Sequence, residues 1–224
     1  MEYNDYKEIA LDLKLDSDSV IAFHFDSNQE GVTLFFDNGY LKLYKIKNLE
    51  NSIFLNLNDY QDIKDDIKRT AWVRSLIIAG VDKFIFFLNL VSLDSYEAYT
   101  VIDDHINMTG NNILRGKNID EFGERFPDST FIYKNNYSKK LISKYDKTIY
   151  LGFMGPIPAT PAEEFAFRKM GADSYCDLII DEALLITHAK KSITAIGYRV
   201  SRENYRRDLK VDRVADFLSE NGFC

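Results

Sequence analysis

Between Lys83 and Val91 the chain reads Lys-Phe-Ile-Phe-Phe-Leu-Asn-Leu-Val. A strand with one wet face alternates apolar and polar residues, whereas a run that is apolar at both parities must be covered on both faces. The rest of the chain therefore has to supply layers on either side of a sheet. The apolar stretch Phe84–Leu93 contains Asn89 and is far too short to cross a bilayer, so no membrane association is expected.

Upstream of this strand, Tyr3–Leu13 is amphipathic and reads as a short helix, and Val20–Phe25 as an apolar strand. Gly31–Phe36 and Tyr40–Ile46 flank Asp37-Asn38-Gly39, residues that tolerate positive φ, which predicts a hairpin. Ser52–Leu57 is another strand. The spacing of Tyr60, Ile63, Ile67 and Ala71 predicts one helix over Asp59–Ala79, stopped by Gly80. Downstream come a strand at Tyr99–Asp103 and a long polar loop from Asp104 to about Tyr137. A strand at Thr148–Phe153 follows, then a helix at Pro161–Met170 with proline in its first turn and Gly171 as its cap. Asp181–Lys190 reads as a helix, Ser192–Val200 as a strand and Leu209–Glu220 as a closing helix. Strands cluster in the first half and alternate with helices in the second. This order predicts a single α/β domain over residues 1–224 around a mixed sheet.

A chain of 224 residues that is 46% apolar and 14% aromatic has ample material for one core. Its net charge is -7, and Arg206-Arg207 forms a short basic pair without a larger cluster, which argues against a nucleic-acid binder. Two cysteines, Cys176 and Cys224, are too few for a disulfide framework, and residues 1–20 lack the apolar core of a signal peptide. The expectation is a soluble, cytoplasmic protein.

A loop of more than about thirty residues inside a compact domain calls for a functional or interface role. Here it carries Asp104-His105-Ile106-Asn107, Asn112-Ile-Leu-Arg-Gly-Lys-Asn118 and Phe122-Gly-Glu-Arg-Phe-Pro127. Gly155-Pro156, Pro161-Ala162-Glu163 and Gly171-Ala172-Asp173 follow, with Glu182 and His188 at matching intervals. In this combination the chain resembles the purine nucleoside phosphorylases, strongly over residues 80–190 and weakly upstream, where Asn4-Asp5-Tyr6-Lys7 matches. The resemblance points to the trimeric branch, which includes the methylthioadenosine phosphorylases. It implies an α/β sandwich whose mixed, partly barrel-like sheet is flanked by helices. It also implies a purine nucleoside or base as ligand, and self-association into a trimer or association with a related protein. The family's ligand-contacting positions fall here on Asn89, Phe126, Met154, Asp177 and Ser201, with Phe122 and Phe126 in the segment that reaches a neighbouring subunit's pocket. No cofactor and no metal are called for.

Phosphorolysis needs a cradle of donors for phosphate and a hydrogen-bonding end for the departing purine. The family's Gly-Ser-Gly turn after the first strand is replaced by Phe25-Asp26-Ser27, which removes the glycines that aim amides inward and brings in a carboxylate. The family's Arg-Phe-His-x-Tyr-Glu segment reads Leu55-Asn56-Leu57-Asn58-Asp59-Tyr60, without the Arg or the His. The Thr-Asn-Ala-Ala-Gly turn reads Leu88-Asn89-Leu90-Val91-Ser92 and keeps only the asparagine. Ala159 takes the place of the glutamate in the Phe-Glu-Thr triplet, and Tyr175-Cys176-Asp177-Leu178 that of Val-Gly-Met-Ser. Each missing donor costs roughly 10²–10³ in rate. Their joint loss predicts a catalytically silent member that binds a nucleoside-like ligand or acts by association. The alternative is a working phosphorylase, or a nucleoside hydrolase using Asp26 or Asp177 as general base.

Other constellations have plainer readings. Asp103-Asp104-His105 are adjacent strand residues that alternate faces and cannot all hold one ion, which leaves His105 as a structural hydrogen-bonding group. Cys176 has no neighbour in sequence that would lower its pKa and reads as a buried thiol rather than a nucleophile paired with His188. His24 reads as a satisfied core histidine.

Overall fold

A computed structural model of the protein describes residues 1–224 except 12, 48, 50, 95–97, 155–157, 178, 206–208 and 224. The sheet runs β1 (Ser19–Phe23), β2 (Val32–Asp37), β3 (Lys42–Ile46), β4 (Ile53–Asn56), β5 (Lys83–Ser92), β6 (Tyr99–Met108), β7 (Asp146–Phe153), β8 (Ser174–Cys176) and β9 (Ser192–Val200). Its helices are α1 (Tyr3–Ala10), α2 (Asp66–Arg69), α3 (Ala71–Ile78), α4 (Asn136–Ile142), α5 (Pro161–Met170), α6 (Ile180–His188) and α7 (Val211–Asn221). The strands lie in the order β2-β3-β4-β1-β5-β8-β7-β6-β9, and β9 also pairs with β5. That last pairing closes β5, β8, β7, β6 and β9 into a ring, from which β1, β4, β3 and β2 extend as an open sheet. Parallel pairs (β1 with β4 and β5, β5 with β9, β7 with β6 and β8) mix with antiparallel ones. The expected mixed, partly closed sheet is present.

The alternation within β5 explains why its sequence is apolar at both parities. Phe84, Phe86, Leu88 and Leu90 enter one core with Trp72, Leu76 and Tyr6 of the α1–α3 side, whereas Ile85 and Phe87 enter a second with Phe217 and Leu218 of α7. β1 splits the same way, Val20 and Ala22 against Ile21 and Phe23.

Three expectations change. The helix expected over Asp59–Ala79 is broken: residues 57–59 form a 3-10 turn, and helix begins only at Asp66, where the Asp65 carboxylate accepts from Lys68 N. A side-chain cap outcompetes the apolar period here. A second break falls at Thr70, whose hydroxyl donates to Asp66 O at 2.7 Å. The loop expected from Asp104 starts later, because β6 pairs with β7 as far as Met108–Phe153 across a bulge near Asp103. It also ends in α4, which is started by a capping box between Asn135 and Ser138. Finally, no strand is expected between Gly171 and Asp181, yet β8 forms there, three residues long and too short to show a period. Pro161–Met170 and Ser192–Val200 form as expected, and Gly171 caps α5 at φ 95°.

Candidate functional site

The segment after β1 lies beside the end of β4, since β1 and β4 run parallel with Phe23 opposite Asn56. Asn56 is buried, and its Oδ1 accepts from Phe25 N (3.3 Å) and Asn58 N (3.1 Å), while its Nδ2 donates to Phe25 O (2.9 Å). Asn58 Nδ2 donates to the same carbonyl at 3.1 Å, and Asn58 Oδ1 lies 2.7 Å from His24 Nδ1. Both main-chain polar groups of Phe25 are therefore already engaged. Its ring is buried, 4.7 Å from Phe23 and edge-on to Tyr44 at 5.3 Å. The Tyr44 hydroxyl donates to Asp59 at 2.8 Å, and burial together with that carboxylate pushes it well above its ordinary range. Asp26 is exposed and turned back to accept from Asn28 N at 2.9 Å. The main chain of this turn is thus held by two asparagines, and residues 24–28 and 55–61 contain neither Lys nor Arg.

The other expected positions lie on the ring. Gly152 pairs with Cys176, so Met154 and Asp177 leave β7 and β8 at the same end. Counting on two residues from the Val91–Tyr175 pair places Asn89 level with Asp177, and Asn89 itself pairs with Tyr198 of β9. Ser201 follows β9, exposed, with its carbonyl accepting from Asn204 N in the turn over Arg202–Asn204. That turn carries Tyr205, whose buried hydroxyl donates to the Asp177 carboxylate and accepts from Asp177 N at 3.0 Å. Arg202 donates to Ala159 O at 2.7 Å and lies 3.6 Å from Glu164, which also accepts from the Tyr175 hydroxyl at 2.8 Å. Burial, then Glu164, raises the Tyr175 hydroxyl's pKa. Asn89 is thus level with Asp177, and the turn after Ser201 reaches Asp177 through Tyr205. Met154 is 76% and Phe126 85% exposed; the Phe126 ring touches the Arg125 guanidinium at 5.6 Å. Phe122 packs within its own chain, edge-on to Tyr3 and Tyr6 and under Arg74, so it does not reach outward. Gly155-Pro156, Leu178, Arg206-Arg207 and Cys224 lie outside the described residues.

Two features had no local signal in the sequence. Arg69 Nη1 donates to Glu182 and Nη2 to Asp181, both at 2.7 Å, with Asp66 3.6 Å from Nε. Burial, then the like charge of Glu182, pushes Asp181 up to about 6. Just before this pair stands Ile179 at φ 62°, a left-handed conformation that costs a β-branched residue on the order of 1–3 kcal/mol. Beside β6 and β7, His105 Nδ1 lies 2.9 Å from the buried Tyr133 hydroxyl, itself 3.3 Å from that of Tyr150, and burial lowers the His105 pKa. Cys176 is buried, as expected for a structural thiol. Among the described residues, no group of three His, Cys, Asp or Glu is placed to hold a metal ion, and no helix is long and apolar enough to cross a membrane.

No family model matches the chain. Among solved structures, the Schistosoma mansoni purine nucleoside phosphorylase in complex with acetate superposes with a TM-score of 0.77 at 16% identity, over 99% of this chain and 94% of that one. A Schistosoma enzyme in complex with hypoxanthine gives 0.77 at 17%, over 99% and 95%. The fold is that of the purine nucleoside phosphorylases. Sequence kinship accompanies it over part of the length. The chain is 35% identical over 104 residues to purine nucleoside phosphorylase 1 of Bacillus subtilis, covering 43% of this chain and 38% of that protein. It is 30% identical over 136 residues to the rat purine nucleoside phosphorylase, covering 54% and 47%. The match thus spans less than half the length of these purine nucleoside phosphorylases.

Proposed function

We propose that this chain is a purine nucleoside phosphorylase-like protein that is catalytically silent, acting in the cytoplasm by binding a purine nucleoside or base, or through association with itself or a related protein. The observation that carries the reading is the turn after β1. Phosphorolysis needs inward-pointing donors there. In this chain Asn56 and Asn58 hold the main chain of Phe25, and the ring fills the space against Phe23 and Tyr44. Polar groups remain for a purine: Asn89 is level with Asp177, and the turn after Ser201 brings Tyr205 onto Asp177 and Arg202 onto Ala159 O. A hydrolase would need Asp177 free to take a proton from water, and its carboxylate already accepts from Tyr205.

The exposed rings of Phe126 and Phe131, 85% and 62% accessible on the loop that carries the matched motifs, favour a trimer built through residues 109–135. Thermal-shift titration with hypoxanthine, guanosine and methylthioadenosine, with and without phosphate, tests the ligand reading. Stabilisation by a purine compound that phosphate leaves unchanged is expected. Stabilisation by phosphate alone would contradict it.

A further inference from the structure

The ring has no edge, and the open part of the sheet ends at β2, so among the described residues β2 presents an unpaired row of backbone donors and acceptors. Natural edges are commonly guarded by charge. This one exposes Leu34 (46%) and Phe35 (41%), with Lys45 Nζ 5.5 Å from the centre of the Phe35 ring and a bulge between Leu34 and Phe36. Where β2 ends, a hollow of about 550 Å³ opens between the hairpin and α1. Its floor includes Ile9 and Phe36, and its rim carries Asp5, Glu8 and Asp37 against Lys68. The hairpin is anchored there, since Asn38 Nδ2 donates to Ile9 O at 2.8 Å, which makes the hollow a formed feature. Asp37 accepts from Gly39 N at 2.8 Å and lies 3.8 Å from Lys42, and Asp5 accepts from Glu2 N.

We propose that β2 and this hollow form a docking surface for an extended basic segment of another protein, added as a further strand. Strand addition satisfies the backbone row and covers Leu34 and Phe35 with alternate apolar side chains, at the usual spacing of about 4.8 Å between strands. A lysine or arginine leaving the added strand's end would enter the hollow, its stem on Ile9 and Phe36 and its charge among Asp5, Glu8 and Asp37. Charge chooses the occupant. A second copy would bring a net charge of -7 and its own Glu30 and Asp37 at the strand ends, whereas a basic segment is drawn to them.

The test is fluorescence anisotropy of a labelled eight-residue peptide of alternating lysine and valine, titrated with the full chain. Saturable binding is expected, weakened at least about tenfold by the double variant Glu8→Lys/Asp37→Lys and by Leu34→Asp. Glutamate in place of the lysines is expected to abolish binding, as is methylation of alternate backbone nitrogens of the peptide. The methylated peptide is tested on the unmodified protein, so that arm holds even if a variant fails to fold. No saturable binding would overturn the proposal, as would equal binding of the methylated peptide, which would reveal only diffuse charge attraction.

Discussion

Truncating Phe25 removes a buried ring from its contacts with Phe23 and Tyr44. Phe25→Ala is expected to lower the unfolding free energy by about 3–5 kcal/mol in urea denaturation, and Asp26→Ser, in an exposed turn, to change it hardly at all. Asp26→Ser alone is not expected to create phosphorolysis, because Asn56 and Asn58 still engage both main-chain polar groups of Phe25. At Arg69 the expected effect of Arg69→Met is a loss of about 3 kcal/mol or more, since Asp181 and Glu182 would be left as unpaired buried carboxylates. Asp181 also sets a pH dependence. Its carboxyl is raised from 3.8 to about 6, so the folded state holds a proton that the unfolded chain has released. The stability this contributes is fully present below about pH 4 and is lost as pH rises through about 6. Melting temperatures of wild type relative to Asp181→Asn are expected to fall across that window; a flat difference would contradict the assignment. That Phe25-Asp26-Ser27 contains no glycine was legible in the sequence. That Asn56 and Asn58 close on Phe25 was not, because those bonds depend on the register of two strands. The Arg69 pair joins residues 112 and 113 positions apart, which no local pattern reveals.

Elements whose period agreed with their caps were readable from sequence. Thr160, Pro161 and Gly171 bracket α5 with a capping box and a left-handed stop, and the helix forms as read. Where period and cap disagree, as at Asp65, the cap decides and the helix starts late; the second break, at Thr70, has no side-chain cap and carries instead the hydroxyl's bond back to Asp66 O. The long loop is set by contacts far away in sequence. A Cβ on Gly123 would lie 2.0 Å from the carbonyl oxygen of His188, so the Phe122-Gly123-Glu124 turn sits directly on the end of α6. Gly123→Ala is expected to displace that turn and cost about 1–3 kcal/mol, read as a lower melting temperature. An unchanged melting curve would show that the loop does not pack there.

At the scale of the whole molecule, one apolar run at Lys83–Val91 already required cover on both faces, and the two cores on either side of β5 provide it. Closure of the ring depends on β9 pairing with both β5 and β6, a long-range fact that the order of elements alone leaves open. A trimer through residues 109–135 predicts three times the chain mass of 26.0 kDa in light scattering at micromolar concentration, and a shift toward monomer in Phe126→Glu. A monomeric wild type would contradict it. We propose that the phosphate position of this fold is closed in this chain. The measurement that bears on it most directly is release of free base from inosine, guanosine, adenosine and methylthioadenosine by the purified chain in phosphate buffer. No release above the enzyme-free rate is expected; turnover near about 1 s⁻¹, ordinary for an enzyme, would contradict closure of the phosphate position.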